Sequence, residues 1–416
     1  DGHGNNTAVG ANAMSNATTG TGNTAVGTLA IGTGVTTGNS NIGVGYAAGY
    51  NLTTGTANCI VGNNAGGALT AGYFNVAMGH NALSASVSGR NSTAIGHQTL
   101  LNENVVSSEA YNVAVGFEAG KLITTAVNNT IIGGLAGDSL TTGSANVAVG
   151  VEALATEDAH GLNVAVGYRA LKTLNAGAEG YNVAVGSNAG GAMTTGAQNA
   201  ILGASAGDSL TEGSFNTVLG AFALATSADG DYNTAVGYKA LQDYEDGNGN
   251  GHNTAVGSKS QLNASTGEFN TSLGSLSMGV GVTTGDYNVA LGAEAGQALT
   301  SGGLNTLVGG KAGDALTGGG SNTAVGYRAL TTENSHGLNT ALGHEALATL
   351  NAGADAYNTA VGYRAGTAMT SGTKNTLLGG LAGDSLTTGA TNVAIGYDAL
   401  STEDTGTASV AIGAFA

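Results

Sequence analysis

One five-residue pattern governs this chain. Asn-x-small-aliphatic-Gly runs from Asn6-Thr7-Ala8-Val9-Gly10 to Ser409-Val410-Ala411-Ile412-Gly413, and its closing glycines number 24. Of the 23 spacings between those glycines, 17 are 17 residues long and the others are 18 to 20. A period of this kind marks stacked units, none of which buries its apolar face alone. The pattern never lapses, so residues 1–416 read as a single continuous repeat domain.

Composition narrows the kind of stack. Gly supplies 74 of 416 residues, and Pro and Trp none. Gly at that density argues against helices, where each costs about 1 kcal/mol. Without Pro or a Gly-X-Y period the chain is not collagen-like. No apolar run approaches the 18 or more residues of a membrane span. A net charge of −17, with only 10 Lys and Arg, argues against a nucleic-acid surface, which is basic. A single cysteine excludes a disulfide framework. The chain starts at Asp1 and stops three residues past its last core glycine, so flanking parts of a longer protein are expected.

Each position of the pattern has a physical reading. The fourth is a large apolar residue in every copy, such as Val9, Met78, Ile95, Leu202 or Ile412. The second, mostly Thr or Val, lies on the same face, because strand side chains alternate with period two. The third is Ala in 16 copies. Both faces are therefore apolar, the mark of a strand covered on both sides. One face fills the coil, and the other needs a cover that only further copies of the chain can supply. On this reading Cys59, at a second position, points inward beside Val61.

The first position is Asn in 22 copies and Ser in two, Ser92 and Ser409. This suits a ladder of amides bonded between coils, or a turn that uses left-handed Asn. The invariant glycine suits positive φ or close coil contact. A small residue three positions later, usually Ala followed by Leu or Gly (Ala82-Leu83, Ala119-Gly120), predicts a second short strand. Turns such as Thr141-Thr142-Gly143 then return the chain. Seventeen residues reach at most about 56–61 Å extended, enough for a narrow coil. Stacked at roughly 4.8 Å per coil, 24 of them make a rod about 115 Å long. The expected fold is all-β, a parallel β-roll or β-solenoid of about 24 coils. A longer period of four coils, about 70 residues, is marked by Ile60, Ile131, Ile201, Leu307 and Leu377 at third positions, with an inserted pair of coils between Ile201 and Leu307.

Candidate chemistry is sparse. Gly-Asp-Ser-Leu, an esterase signature, occurs at 137–140, 207–210 and 383–386. A nucleophilic serine needs one unique site with a base and an oxyanion hole, whereas here the motif recurs with the module, as a corner. Asp246-Gly247-Asn248-Gly249-Asn250-Gly251 matches the first half of a calcium loop. Asp243, Glu245, Asp246, Asn248 and Asn250 are the candidate Ca2+ ligands, although the twelfth position is Gly257 rather than Glu. The alternative is a solvated glycine-rich loop. The histidines (His80, His97, His160, His252, His336, His344) are scattered over different coil positions. Glu157, Asp158, Glu333, Glu403 and Asp404 read as loop acids, where a glycan-cleaving enzyme would need a carboxylate pair in a groove. The Thr-Thr-Gly turns skip coils, which an ice-binding array would not. Tyr111, Tyr181, Tyr287 and Tyr357 close the longer loops, while Tyr46, Tyr168, Tyr238, Tyr327 and Tyr363 follow the core glycine. Rows of tyrosine can stack sugars or shield coil edges.

The Asn/Ser-x-Ala-Val/Ile-Gly core, Ser409-Val410-Ala411-Ile412-Gly413 above all, resembles the head repeats of trimeric autotransporter adhesins. The variant Asn233-Thr234-Ala235-Val236-Gly237-Tyr238-Lys239-Ala240-Leu241 is also similar to repeats of bacteriophage tail fibres. The resemblance spans the whole chain. It implies a left-handed parallel β-roll, a homotrimer about one axis, and an extracellular role in attachment at a cell surface or on a virion. The partners it implies are self, possibly head to tail, and a surface receptor or glycan. The expectation is an adhesive fibre segment, with a phage fibre shaft as the alternative, no enzyme activity, no nucleic acid and no membrane insertion. Anchor, stalk or chaperone segments that would separate the two owners are expected outside this chain.

Overall fold

A computed structural model of the chain describes residues 4–32, 34–106, 109–244 and 251–416. The chain forms two compact units, Asp1–Glu212 and Gly213–Ala416. The first holds twelve three-residue strands from Thr7–Val9 to Ala200–Leu202, and the second twelve from Thr217–Leu219 to Val410–Ile412. Inside each unit a strand pairs with the equivalent strand one coil away, parallel and in register. Thr24, Ala25 and Val26 face Ile42, Gly43 and Val44, and Thr340, Ala341 and Leu342 face Thr359, Ala360 and Val361. Each unit is thus a parallel β-solenoid of coils about 17 residues long, and no α-helix occurs among the described residues. Register is strict because a one-residue slip would turn every inward side chain outward.

The inward residue is the third of the pattern. Ala25, Ile60, Ala77, Ile131 and Leu307 have essentially no exposure, while their strand neighbours are half-buried or exposed. Cys59 is therefore not inward. It lies half-exposed on the outer face, where Val61 also sits, with Ile60 between them pointing in. A lumen this narrow admits Ala at most coils, so the small residue takes the inside and the larger aliphatics the outside.

The opposite wall is not the expected second strand. After each core glycine the chain runs through turns with left-handed residues two and four positions on, such as Leu29 (φ 60°) and Ile31 (φ 47°). Alternate amides there serve opposite neighbours: Leu29 N–H donates to Ala11 O of the preceding coil (3.0 Å) and Ile31 N–H to Ala48 O of the next (2.9 Å). Left-handed backbone costs a non-glycine residue roughly 1–2 kcal/mol. It shortens the path, however, so that a coil closes over a narrow core while Leu29, Ala30 and Ile31 N–H all stay bonded. Ile31, Leu83 and Leu154, each four residues after a core glycine, are fully buried.

The four-coil period is a packing rule. Where the third position is Ile or Leu, the facing fourth positions on its own and the preceding coil are Gly. A Cβ on Gly120 or Gly137 would sit 3.1 and 3.3 Å from Ile131 Cδ1, and one on Gly296 or Gly313 would sit 2.8 and 2.9 Å from Leu307 methyls. Where the third position is Ala, the fourth is commonly Leu, as in Ala148 with Leu154 and Ala165 with Leu171. A large third-position residue thus takes the space that the glycines leave on its own and the preceding coil, as close packing demands.

The first-position residues form the ladder. Asn58 Nδ2 donates to Asn41 Oδ1 (3.0 Å) and to Gly72 O (2.8 Å). Its Oδ1 accepts from the backbone N–H and Nδ2 of Asn75, both at 3.0 Å. The left-handed residue is the one before each Asn, for example Ala57 (φ 56°) and Phe74 (φ 60°), not the Asn itself. The invariant glycine meets both demands read from its conservation of place along the chain: Gly62 has φ 135°, and a Cβ there would lie 2.4 Å from Gly79 O of the next coil.

Candidate functional site

The residue types singled out in the sequence fall in different places on the solenoid. Gly-Asp-Ser-Leu is a packing corner. Gly137 is left-handed (φ 51°) and makes room for Ile131, and Leu140 is fully buried. Ser139 lies beside them with its amide bonded to Ala155 O (3.2 Å). The equivalent aspartates, Asp138, Asp208 and Asp384, have carboxyls held above the usual range, first of all by desolvation.

Of the calcium candidates, Asp243 is exposed; its amide donates to Leu262 O (3.0 Å) and its carboxylate accepts from Thr226 Oγ1 (3.4 Å). Glu245, Asp246, Asn248 and Asn250 lie outside the described residues.

Aromatic side chains make two kinds of column. Five rings at the position before the ladder residue, Phe215, Tyr232, His252, Phe269 and Tyr287, stack on successive coils. Their centroids are 4.7–5.0 Å apart and their planes 1–6° from parallel. Rings that follow the core glycine form further columns: in the first unit His80, His97 and Phe117 stack at 5.2 and 5.3 Å, and in the second Tyr327 lies tilted 5.5 Å from His344, which stacks on Tyr363 at 5.4 Å. His80, His97, His252 and His344 therefore stack within columns, while His160 and His336 lie at corners. The solenoid brings residues 17 to 20 apart into contact, a spacing that no short motif reveals. In these columns the rings face one another, so their edges meet solvent along the stack.

Two of the supposed loop acids are inside. In most coils the residue seven positions after the core glycine sits at a corner and points into the core, as Leu52, Leu69, Leu140 and Leu316 do. Glu103, Glu157 and Glu333 occupy the same place with no exposure. A buried carboxylate is tolerated only when hydrogen-bonded, and each of the three is. Glu103 accepts from Ser92 Oγ (2.7 Å) and Asn112 Nδ2 (2.9 Å). Ser92 is too short to continue the Asn ladder, and Glu103 supplies the missing acceptor. Burial raises the Glu103 pKa, opposed by those two hydrogen bonds.

Glu157 and Glu333 are bonded differently and alike. Glu157 accepts from the amides of His160 (3.1 Å) and Ala176 (3.2 Å). Glu333 accepts from those of His336 (3.2 Å) and Ala352 (3.2 Å). In each corner the histidine Nδ1 approaches the same carboxylate oxygen, at 3.3 Å from Glu157 and 3.4 Å from Glu333. Period-reading of the sequence missed these acids, although Thr-Glu-x-x-His-Gly-Leu-Asn occurs at both 156–163 and 332–339.

In each unit the outer strand face carries a row of apolar side chains. Second and fourth positions project from it on every coil, and Ile42, Met78, Ile132, Leu202, Leu219, Leu273 and Leu378 are 40–52% exposed. Among the described residues no helix is long and apolar enough to cross a membrane. No protein-family model matches the chain, and no curated protein does. What is established is a repetitive parallel β-solenoid, a fold compatible with a fibrous structural protein.

Proposed function

We propose that this chain is a self-assembling segment of an extracellular fibre, the shaft or head of a trimeric adhesin-like appendage whose task is attachment. The observation that carries the reading is the outer strand face, where exposed or half-buried apolar side chains recur coil after coil, the kind of contiguous patch that marks an interaction surface. Identical chains packed about a common axis would cover it, Thr and Val of one strand against the aliphatics of another. A trimeric phage fibre shaft uses the same assembly with a different owner. The role is structural rather than enzymatic, in keeping with serines and aspartates that serve corners. The aromatic columns are the surface offered to a receptor or glycan.

Absolute mass by light scattering in line with size exclusion tests this. The chain weighs 40.0 kDa, and a species of three chains is expected, in which Cys59 reacts slowly with a thiol reagent until the assembly is dissociated. A monomer with freely reacting Cys59 would overturn the reading.

A further inference from the structure

We propose that the corner formed by Glu157, Asp158 and His160 is a binding site for a divalent transition ion of the zinc class. Donor atoms of the three residues lie within 4.8 Å of one another. His160 Nδ1 is 3.3 Å from Glu157 Oε1, and two ligands at Zn–N and Zn–O distances of roughly 2.0–2.2 Å subtend a tetrahedral angle when about 3.3–3.5 Å apart. Glu157 is already fixed by the amides of His160 and Ala176, so its carboxylate is held in place before any ion arrives. Such preorganisation lowers the ordering penalty of binding.

A second, independent observation points to a ligand. His160 Nδ1 is buried as an atom and has no hydrogen-bond partner among the described residues. Its close polar neighbour is Glu157 Oε1 at 3.3 Å, an acceptor facing a ring nitrogen, so a proton or a cation must lie between the two. The same orphaned nitrogen recurs at His336, 3.4 Å from Glu333 Oε1. Glu103, in an equivalent corner, has no histidine three residues on and finds Ser92 and Asn112 instead. Glu103 has only protein donors around it, whereas in the Glu–His corners a ring nitrogen also approaches the carboxylate. Imidazole with carboxylates suits zinc and its neighbours in the series better than calcium, which takes oxygen ligands.

The second corner serves as a built-in comparison. There Asn334 stands where the first corner has Asp158, which removes one anionic ligand while keeping the glutamate and histidine. The first corner is therefore the tighter of the two.

The test is a Zn2+ titration of the intact, chelator-treated chain by calorimetry, with Co2+ absorption reporting coordination geometry. One ion per chain is expected, His160→Asn should weaken its binding at least tenfold, and Asn334→Asp should bring a second equivalent ion. No uptake of Zn2+ up to roughly a hundred micromolar, or equal affinity in His160→Asn, would sink the assignment; the latter would place the ion elsewhere, for example on exposed His80 and His97. Circular dichroism checks that His160→Asn is folded. Were it not, the stoichiometry of Asn334→Asp decides: two ions support the site and one removes it.

Discussion

Replacing Asn58 with Ala tests whether the amide ladder is what holds successive coils together. The side chain makes four hydrogen bonds: Nδ2 to Asn41 Oδ1 and Gly72 O, and Oδ1 from the backbone N–H and Nδ2 of Asn75. Two of the groups released keep other partners, since Asn41 Oδ1 still accepts from the Asn58 amide and Asn75 Nδ2 still donates to Gly89 O. The Asn75 N–H and the Gly72 carbonyl lose theirs, in a place where Asn58 and Asn75 are each 1% exposed. A buried group left unsatisfied costs about 1–3 kcal/mol, so Asn58→Ala should destabilise by roughly 2–6 kcal/mol. In a unit of this size each kilocalorie moves the midpoint by about 2–4 °C. A thermal melt followed by circular dichroism should therefore fall by roughly 5–20 °C. Asn39→Ala is the control, because Asn39 is exposed and bonds the Thr21 amide at the surface (2.8 Å); its midpoint should barely move. Equal midpoints for the two variants would show that the ladder is decoration and that coil stacking rests on the strand and core alone.

Further outcomes follow from the same geometry. Because burial raises the Glu103 pKa in the folded chain, its protonated form is favoured by folding. Its contribution is then fully present below the unfolded carboxyl pKa and lost as pH rises through the folded one. Glu103→Gln should remove that decline, measurable as the difference in melting temperature between the two proteins across a pH series starting near 4. Ile131→Ala should cost about 2–5 kcal/mol through the cavity it leaves, and Gly137→Leu alone should destabilise by crowding Ile131 and Leu140. Combined, they recreate the Ala148 and Leu154 pairing and should be less destabilised than the sum, as a double-mutant denaturation cycle would report. Leu202→Glu, on the outer face at 46% exposure, should leave the β-spectrum intact while reducing the light-scattering mass to one chain. An unchanged mass would move the self-association surface elsewhere.

Much of this architecture is legible along the chain, because a solenoid converts sequence period directly into spatial neighbourhood. The Asn column, the glycine that tolerates neither a Cβ nor negative φ, and the 24 strands were all readable from one recurring pentapeptide. So was the four-coil module, although its cause, Gly opposite Ile131 and Leu307, needed the cross-section of the coil. What the period did not reveal is direction. Alternation says that Cys59 and Val61 share a face but not which face is inside; the width of the lumen chose Ala for the interior and turned Cys59 out. The far wall misled for a related reason. Ala-Leu pairs look like a strand by residue type, yet closing a short coil required left-handed turns at Leu29 and Ile31. The buried acids were hidden for the same cause. Glu157 and Glu333 sit among polar loop residues in the sequence, and only the corner that carries Leu140 and Leu316 in other coils brings them into the core, each beside a histidine. Period and composition set which residues stack from coil to coil, since that depends on spacing alone. Inside, outside and the meeting of Glu157 with His160 depend on how the chain closes around its own volume.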